Sequence, residues 1–187
     1  QHLVIDLDSG SSHYGKVYVL GFQQNDAIDM PFVLRLDTNG HLDKNFSTDG
    51  KYEKFFSPDK TYPYDLLLHS DGNLYLAANT KPGESNRSFK LIKLDDSGSE
   101  LANQTFNLTD SQSDSEDIIG LVENSANDIV ALGSVQVSAS EIDILLAKLD
   151  KDNLTNTPTV STQDLSDMLL SSADKIATYL QGAANTV

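Results

Sequence analysis

Gly72-Asn-Leu-Tyr-Leu-Ala-Ala78 decides the fold, because two other stretches repeat it: Gly15-Lys-Val-Tyr-Val-Leu-Gly21 and Asn127-Asp-Ile-Val-Ala-Leu-Gly133. In each, a turn residue leads into β-branched, aromatic and aliphatic positions, the make-up of a buried strand. Their first residues lie 57 and 55 positions apart. A second landmark keeps step with the first. Arg35-Leu-Asp-Thr-Asn-Gly40, Lys93-Leu-Asp-Asp-Ser-Gly98 and Lys148-Leu-Asp-Lys-Asp-Asn153 start 58 and 55 apart, each behind an apolar strand. Each block closes in Asp-x-x-Gly or Asp-x-x-Asn, where Asp bonds its own backbone two residues on and Gly or Asn accepts positive φ. Two landmarks in step over three copies define a tandem repeat.

Outward from these landmarks, turn signals such as Thr48-Asp-Gly50 and Ser70-Asp-Gly72 delimit four strands per copy. They fall near 2–7, 16–22, 31–37 and 50–56, then near 63–69, 73–79, 88–95 and 101–108, then near 117–123, 128–135, 141–150 and 155–160. The expected fold is all-β: three four-stranded antiparallel propeller-like blades over 1–57, 58–110 and 111–160, with a short C-terminal amphipathic helix in 161–187. The helix is read from Leu165, Met168, Leu169, Ser172, Ala173, Ile176 and Leu180 at three- and four-residue steps. Ser161 with Asp164 reads as its capping box and Gly182 as its stop. The helix is expected to pack on the last blade or cap its open edge, with a docking or linker role as the alternative. Closed propellers have about 4–8 blades, so three leave two open faces. Further chain, a second subunit in a homo-oligomer, or the helix is expected to cover them.

The run Phe32-Val-Leu-Arg-Leu-Asp-Thr-Asn-Gly-His-Leu-Asp-Lys-Asn-Phe46, with Asp49-Gly50 after it, resembles the delta-60 repeat of bacterial secreted and surface proteins. That family's pattern is an aliphatic strand leading to Arg-Leu-x-x-x-Gly-x-Leu-Asp-x-x-Phe and a further Gly. The second copy keeps Lys93-Leu, Gly98, Leu101 and Phe106 but lacks the Leu-Asp pair, and the third keeps Lys148-Leu-Asp150 and Leu154. The resemblance covers about residues 2–160. It implies tandem propeller-like blades in a large exported protein and carries no activity with it. The chain opens at Gln1 and reads as a piece of something longer.

Composition narrows the function classes. With 13 basic and 28 acidic residues the formal charge is −15, which repels nucleic acid and anionic membrane surfaces. No run approaches the roughly 18 apolar residues of a membrane span. Without cysteine there is neither a disulfide framework nor a thiolate metal site. Five Asn-x-Ser/Thr triplets, at Asn45, Asn86, Asn103, Asn107 and Asn153, are what so polar a composition produces by chance. There is no Gly-x-Ser-x-Gly elbow, and His2, His13, His41 and His69 occupy unrelated repeat positions, read as solvated loop or edge residues. Catalytic and cofactor-binding residues are therefore expected to be none. Asp6 with Asp8 before Gly10, Asp95 with Asp96 before Gly98, and Asp150 with Asp152 before Asn153 are the acids that could offer oxygens to a weak calcium site, though none follows the full calcium-loop pattern. The expected role is a non-catalytic binding or structural module of an exported or cell-surface bacterial protein, meeting a protein or glycan surface or neighbouring domains of its parent chain. The alternative is part of a propeller enzyme acting on polysaccharide through Asp26, Asp29, Glu141 and Asp143.

Overall fold

The structure, a computed structural model, describes residues 2–25, 28–56, 60–81, 87–106, 115–138, 141–154 and 159–164. Every element among them is a strand. The first sheet comprises β1 (His2–Ile5), β2 (Val17–Asn25), β3 (Ile28–Leu36) and β4 (Lys51–Glu53). The second comprises β5 (Lys60–Leu68), β6 (Leu74–Lys81), β7 (Ser88–Leu94) and β8 (Glu100–Phe106). The third comprises β9 (Ser115–Glu123), β10 (Ile129–Ser138), β11 (Glu141–Leu149) and β12 (Thr159–Asp164). Each is an antiparallel meander in chain order, and none closes into a barrel. Turn chemistry supports this order. Gly15, Gly40, Gly72 and Gly98 hold φ between 78° and 84°, and Asn127 takes the same role at 60°.

The repeat survives as register. Tyr18 pairs with Arg35 between β2 and β3, Tyr75 with Lys93 between β6 and β7, and Val130 with Lys148 between β10 and β11. The second sheet is packed between the other two. One of its faces sets Leu66, Leu74, Leu76, Ala78, Ile92 and Leu94 against Tyr18, Leu20, Val33, Phe46 and Tyr52. Its other face sets Tyr75, Ala77, Phe89, Leu91 and Phe106 against Ile118, Leu121, Ala131, Leu145 and Ala147. A sheet covered on both faces needs apolar residues at consecutive positions, which is why Leu74 through Ala78 are all buried. The first strands gather on one side, β1 against β5 and β5 against β9. There Asp65 joins all three sheets: its carboxylate accepts from Leu121 N–H at 2.6 Å and lies 3.1 Å from His2 Nδ1.

The C-terminal boundary needs correction. Ser161 and Asp164, read as a helix capping box, lie in β12, opposite Leu146 and Asp143 of β11. The last strand thus runs to 164, past the expected end at 160. The free edge of β11 offers a full row of backbone donors and acceptors, and the β-branched Thr159, Val160 and Thr162 suit a strand. A cap satisfies one or two groups where a ladder satisfies a row. The apolar helical period from Leu165 onward lies outside the described residues, as does Gly182. Among the described residues no helix is long and apolar enough to cross a membrane.

Candidate functional site

The turn after β1 and the turn after β5 face each other across the first and second sheets and enclose a cleft of about 310 Å³. Val4, Leu7 and Leu68 form an apolar wall, and Asp6, Asp8 and Glu123 bring acidic groups to it. A smaller cleft of about 270 Å³ adjoins it on the side of His13 and Asp96. The acids around both are committed to local bonds. Asp6, almost fully buried, accepts from Asp8 N–H at 3.0 Å and from the Ser11 hydroxyl at 2.6 Å. Asp8 accepts from Gly10 N–H at 2.8 Å. Asp71 accepts from Asn73 N–H at 2.9 Å and from the Tyr75 hydroxyl at 3.1 Å. Burial followed by the Asp71 charge pushes the Tyr75 phenol well above its ordinary pKa, so it stays a donor. Burial, then the positive charges of Arg35 and Lys16, press His13 below the usual imidazole range.

His69 corrects the expectation of a solvated histidine. Its side chain is fully buried, with Tyr75 edge-on at 5.5 Å. Nδ1 accepts from Asp71 N–H at 3.1 Å, and Nε2 lies 3.2 Å from the Asn127 carbonyl. The next residue, Ser70, gives its N–H to Glu123 at 2.8 Å and its hydroxyl to the same carboxylate. The turn of the second sheet is thereby clamped to that of the third. Residues 53 to 58 positions apart build this clamp, so no local pattern announces it. By contrast His41 is 80% exposed, as its place after a turn glycine suggests.

The landmark cations also join sheets. Arg35 is fully buried beneath the next sheet's turn, where its Nη1 donates to the Asp96 carbonyl at 2.5 Å and its Nε to Asp43 at 2.9 Å. It lies over the Phe46 ring at 4.9 Å and the Tyr18 ring at 6.0 Å. One copy later, Lys93 donates to the Lys151 carbonyl at 2.8 Å and lies 5.3 Å from the Tyr75 ring. Asp96 and Lys151 hold the same repeat position, so the cation of one sheet latches the turn of the next.

Of the acids named for calcium, Asp6 and Asp8 border the cleft and the other four lie on those turns. Asp95 Oδ1 accepts from Ser97 N–H at 2.9 Å and Ser99 N–H at 2.8 Å, and Asp150 Oδ1 accepts from Asp152 N–H at 2.9 Å and Asn153 N–H at 3.0 Å. Asp96 is exposed, and Asp152 pairs with the Lys151 ammonium at 2.8 Å. Asp95/Asp96 belong to the second sheet's turn and Asp150/Asp152 to the third's, so the structure keeps them as two separate pairs. Among the described residues no cluster of three or more acidic or histidine side chains could hold a metal ion. Of the acids named for hydrolysis, Asp26 lies outside the described residues, as do the side chains of Asp29 and Glu141. Asp143 Oδ1 is buried without a hydrogen-bond partner among the described residues. Asp29 and Asp143 sit on β3 and β11, with the whole second sheet between them. Packed sheets are about 10 Å apart, so two sheet spacings exceed the reach of a glycosidase carboxyl pair. Neither a family model nor a curated protein matches the chain.

Proposed function

We propose that the three sheets are consecutive blades of a propeller-like arc, of the delta-60 repeat type, and that the chain is a non-catalytic binding module of an exported bacterial protein. Its work is surface contact or adhesion. The observation that carries this reading is how the cleft carboxylates are used. Asp6, Asp8, Asp71 and Glu123 each accept hydrogen bonds from their own or a neighbouring turn. Acids tied in this way fix the shape of a cleft and offer their remaining lone pairs as acceptors. A proton-transfer pair needs instead two groups poised at different pKa values across a reacting bond. An acceptor-rich cleft with one apolar wall suits a hydroxyl-rich glycan or a basic protein surface. Any calcium held by Asp95, Asp96, Asp150 or Asp152 belongs to this reading as a structural ion.

The test is a glycan array run beside a hydrolysis screen on the same protein. Retention of glycan or basic protein without turnover is the expected result, weakened by Asp8→Asn. Turnover that disappears in Asp143→Asn overturns the reading in favour of a polysaccharide-degrading enzyme.

A further inference from the structure

The two outer sheet faces are apolar and carry the same repeat positions as the buried interfaces. On the first sheet the outward residues of β2 and β3 are Val17, Val19, Leu34 and Leu36, beside exposed Leu3 and Ile5. Their equivalents one copy on, Leu74, Leu76, Ile92 and Leu94, are fully buried against the first sheet. Those of the third copy, Ile129, Ala131, Ala147 and Leu149, are buried against the second. On the third sheet the outward residues are Val130, Leu132 and Leu146, with exposed Val122 and Ile142 nearby. Their equivalents Tyr18, Leu20 and Val33, and Tyr75, Ala77 and Leu91, are buried under the following sheet. One end of the stack therefore presents the face that rides on a preceding sheet, and the other end presents the face that receives a following one.

The latch is also left open. Lys148 holds the position of Arg35 and Lys93, but among the described residues no following turn meets it. Its ammonium is paired with Asp128 of its own sheet at 2.8 Å, and its side chain is 56% exposed. The turn position matching Asp96 and Lys151 is Thr38, which is exposed at the opposite end of the stack.

From this we propose that the occupant of both faces is a second copy of this chain, stacked head to tail, with Lys148 of each copy reaching the Thr38 carbonyl of the other. The inference rests on reading the sheets as blades. Head-to-tail contacts close into a ring or grow without limit, depending on the count. Two copies give six blades, inside the range of about 4–8 for closed propellers, and three copies exceed it.

Sedimentation or light scattering of the 187-residue chain tests this. The expected mass is twice the 20.4 kDa of one chain. Val19→Asp and Leu132→Asp each block one of the two faces, so each alone is expected to be monomeric. Mixed in equal amounts they still share one intact pair of faces and are expected to form a one-to-one species. That recovery also shows both variants to be folded. If Leu132→Asp melts without cooperativity, Val122→Asp replaces it, and if Val19→Asp does, Leu3→Asp on the same face replaces it. Lys148→Met is expected to weaken association by about tenfold. A wild-type monomer at every concentration overturns the proposal, including the case where residues 165–187 cover a face of their own chain. A mass that keeps growing overturns ring closure, and a dimer lost in only one aspartate variant shows like faces meeting. The glycan and hydrolysis screens judge the binding reading separately, so its failure is distinguishable from this one.

Discussion

Asp43 carries a full charge while only 7% of its surface is exposed, and its neighbours explain why this is tolerated. Burial opposes the charge, but the Lys16 ammonium at 2.7 Å, the Asn45 N–H at 3.1 Å and the Arg35 guanidinium outweigh it and hold the carboxyl down to about 2. Glu100 is lowered in the same way: burial opposes its charge, and the Lys54 ammonium, the Tyr52 hydroxyl and the Asn103 amide together prevail. A carboxyl whose folded pKa lies below its unfolded value releases its proton more readily when folded. The stability it contributes is complete above the ordinary value of 3.8 and is lost as pH falls through about 2. For Asp43 this is on the order of 2 kcal/mol. Urea midpoints taken between neutral pH and pH 2 are expected to fall steeply below pH 4. Asp43→Asn is expected to start lower at neutral pH and to lose less over that interval. Parallel curves for the two proteins would show that Asp43 does not carry the acid sensitivity.

Gly40 and Gly98 close equivalent turns at the same φ of 81°, yet they are not equivalent elements of the fold. A Cβ on Gly40 meets nothing within 4 Å, whereas one on Gly98 meets the Phe46 ring and the Ser47 nitrogen at 2.8 Å. Ser47 N–H also donates to the Ser97 carbonyl at 2.6 Å, so the Gly98 turn is a seat for the first sheet. Gly40→Ala is expected to cost about 1 kcal/mol, the strain of a left-handed alanine. Gly98→Ala is expected to cost roughly 2–4 kcal/mol, because the ring or the backbone must also move. Equal losses in chemical denaturation would mean that the two turns do not pack. Local chemistry made these turns legible in the sequence, since Asp37, Asp95 and Asp150 bond the backbone just ahead of them. The strands around Tyr18, Tyr75 and Val130 were legible for the same reason: each recurs with its own turn. β12 was not, because Thr159–Asp164 becomes a strand through the distant edge of β11, and Ser161 with Asp164 reads equally well as a cap. His69 was hidden likewise, its burial depending on Asn127 and Glu123 of the next copy.

At the scale of the whole molecule, apolar patterning foretold the stack, while the cleft, formed by turns some sixty residues apart, left no mark in any single segment. The charge of −15 was plain from the start, and its consequence can be worked out from where the acids sit. A bound calcium ion needs six to eight oxygens, several of them from carboxylates facing one centre. Asp95 and Asp150 each spend Oδ1 on two backbone N–H groups, and Asp152 is paired with Lys151. What remains on each turn is too few oxygens for a cage, although the diffuse negative field still attracts divalent cations. Calcium and magnesium at equal ionic strength are therefore expected to raise the melting temperature by the same small amount. A specific calcium site, filled at 100 times its dissociation constant, would add about 2.7 kcal/mol. In a chain of this length that is a further rise of roughly 5–10 °C, well outside the error of a melting curve. Magnesium, which demands a tight octahedral shell and keeps its waters, would not reproduce it. A calcium excess of that size would overturn the screening account. Its loss in Asp150→Asn or in Asp95→Asn would then say which turn holds the ion.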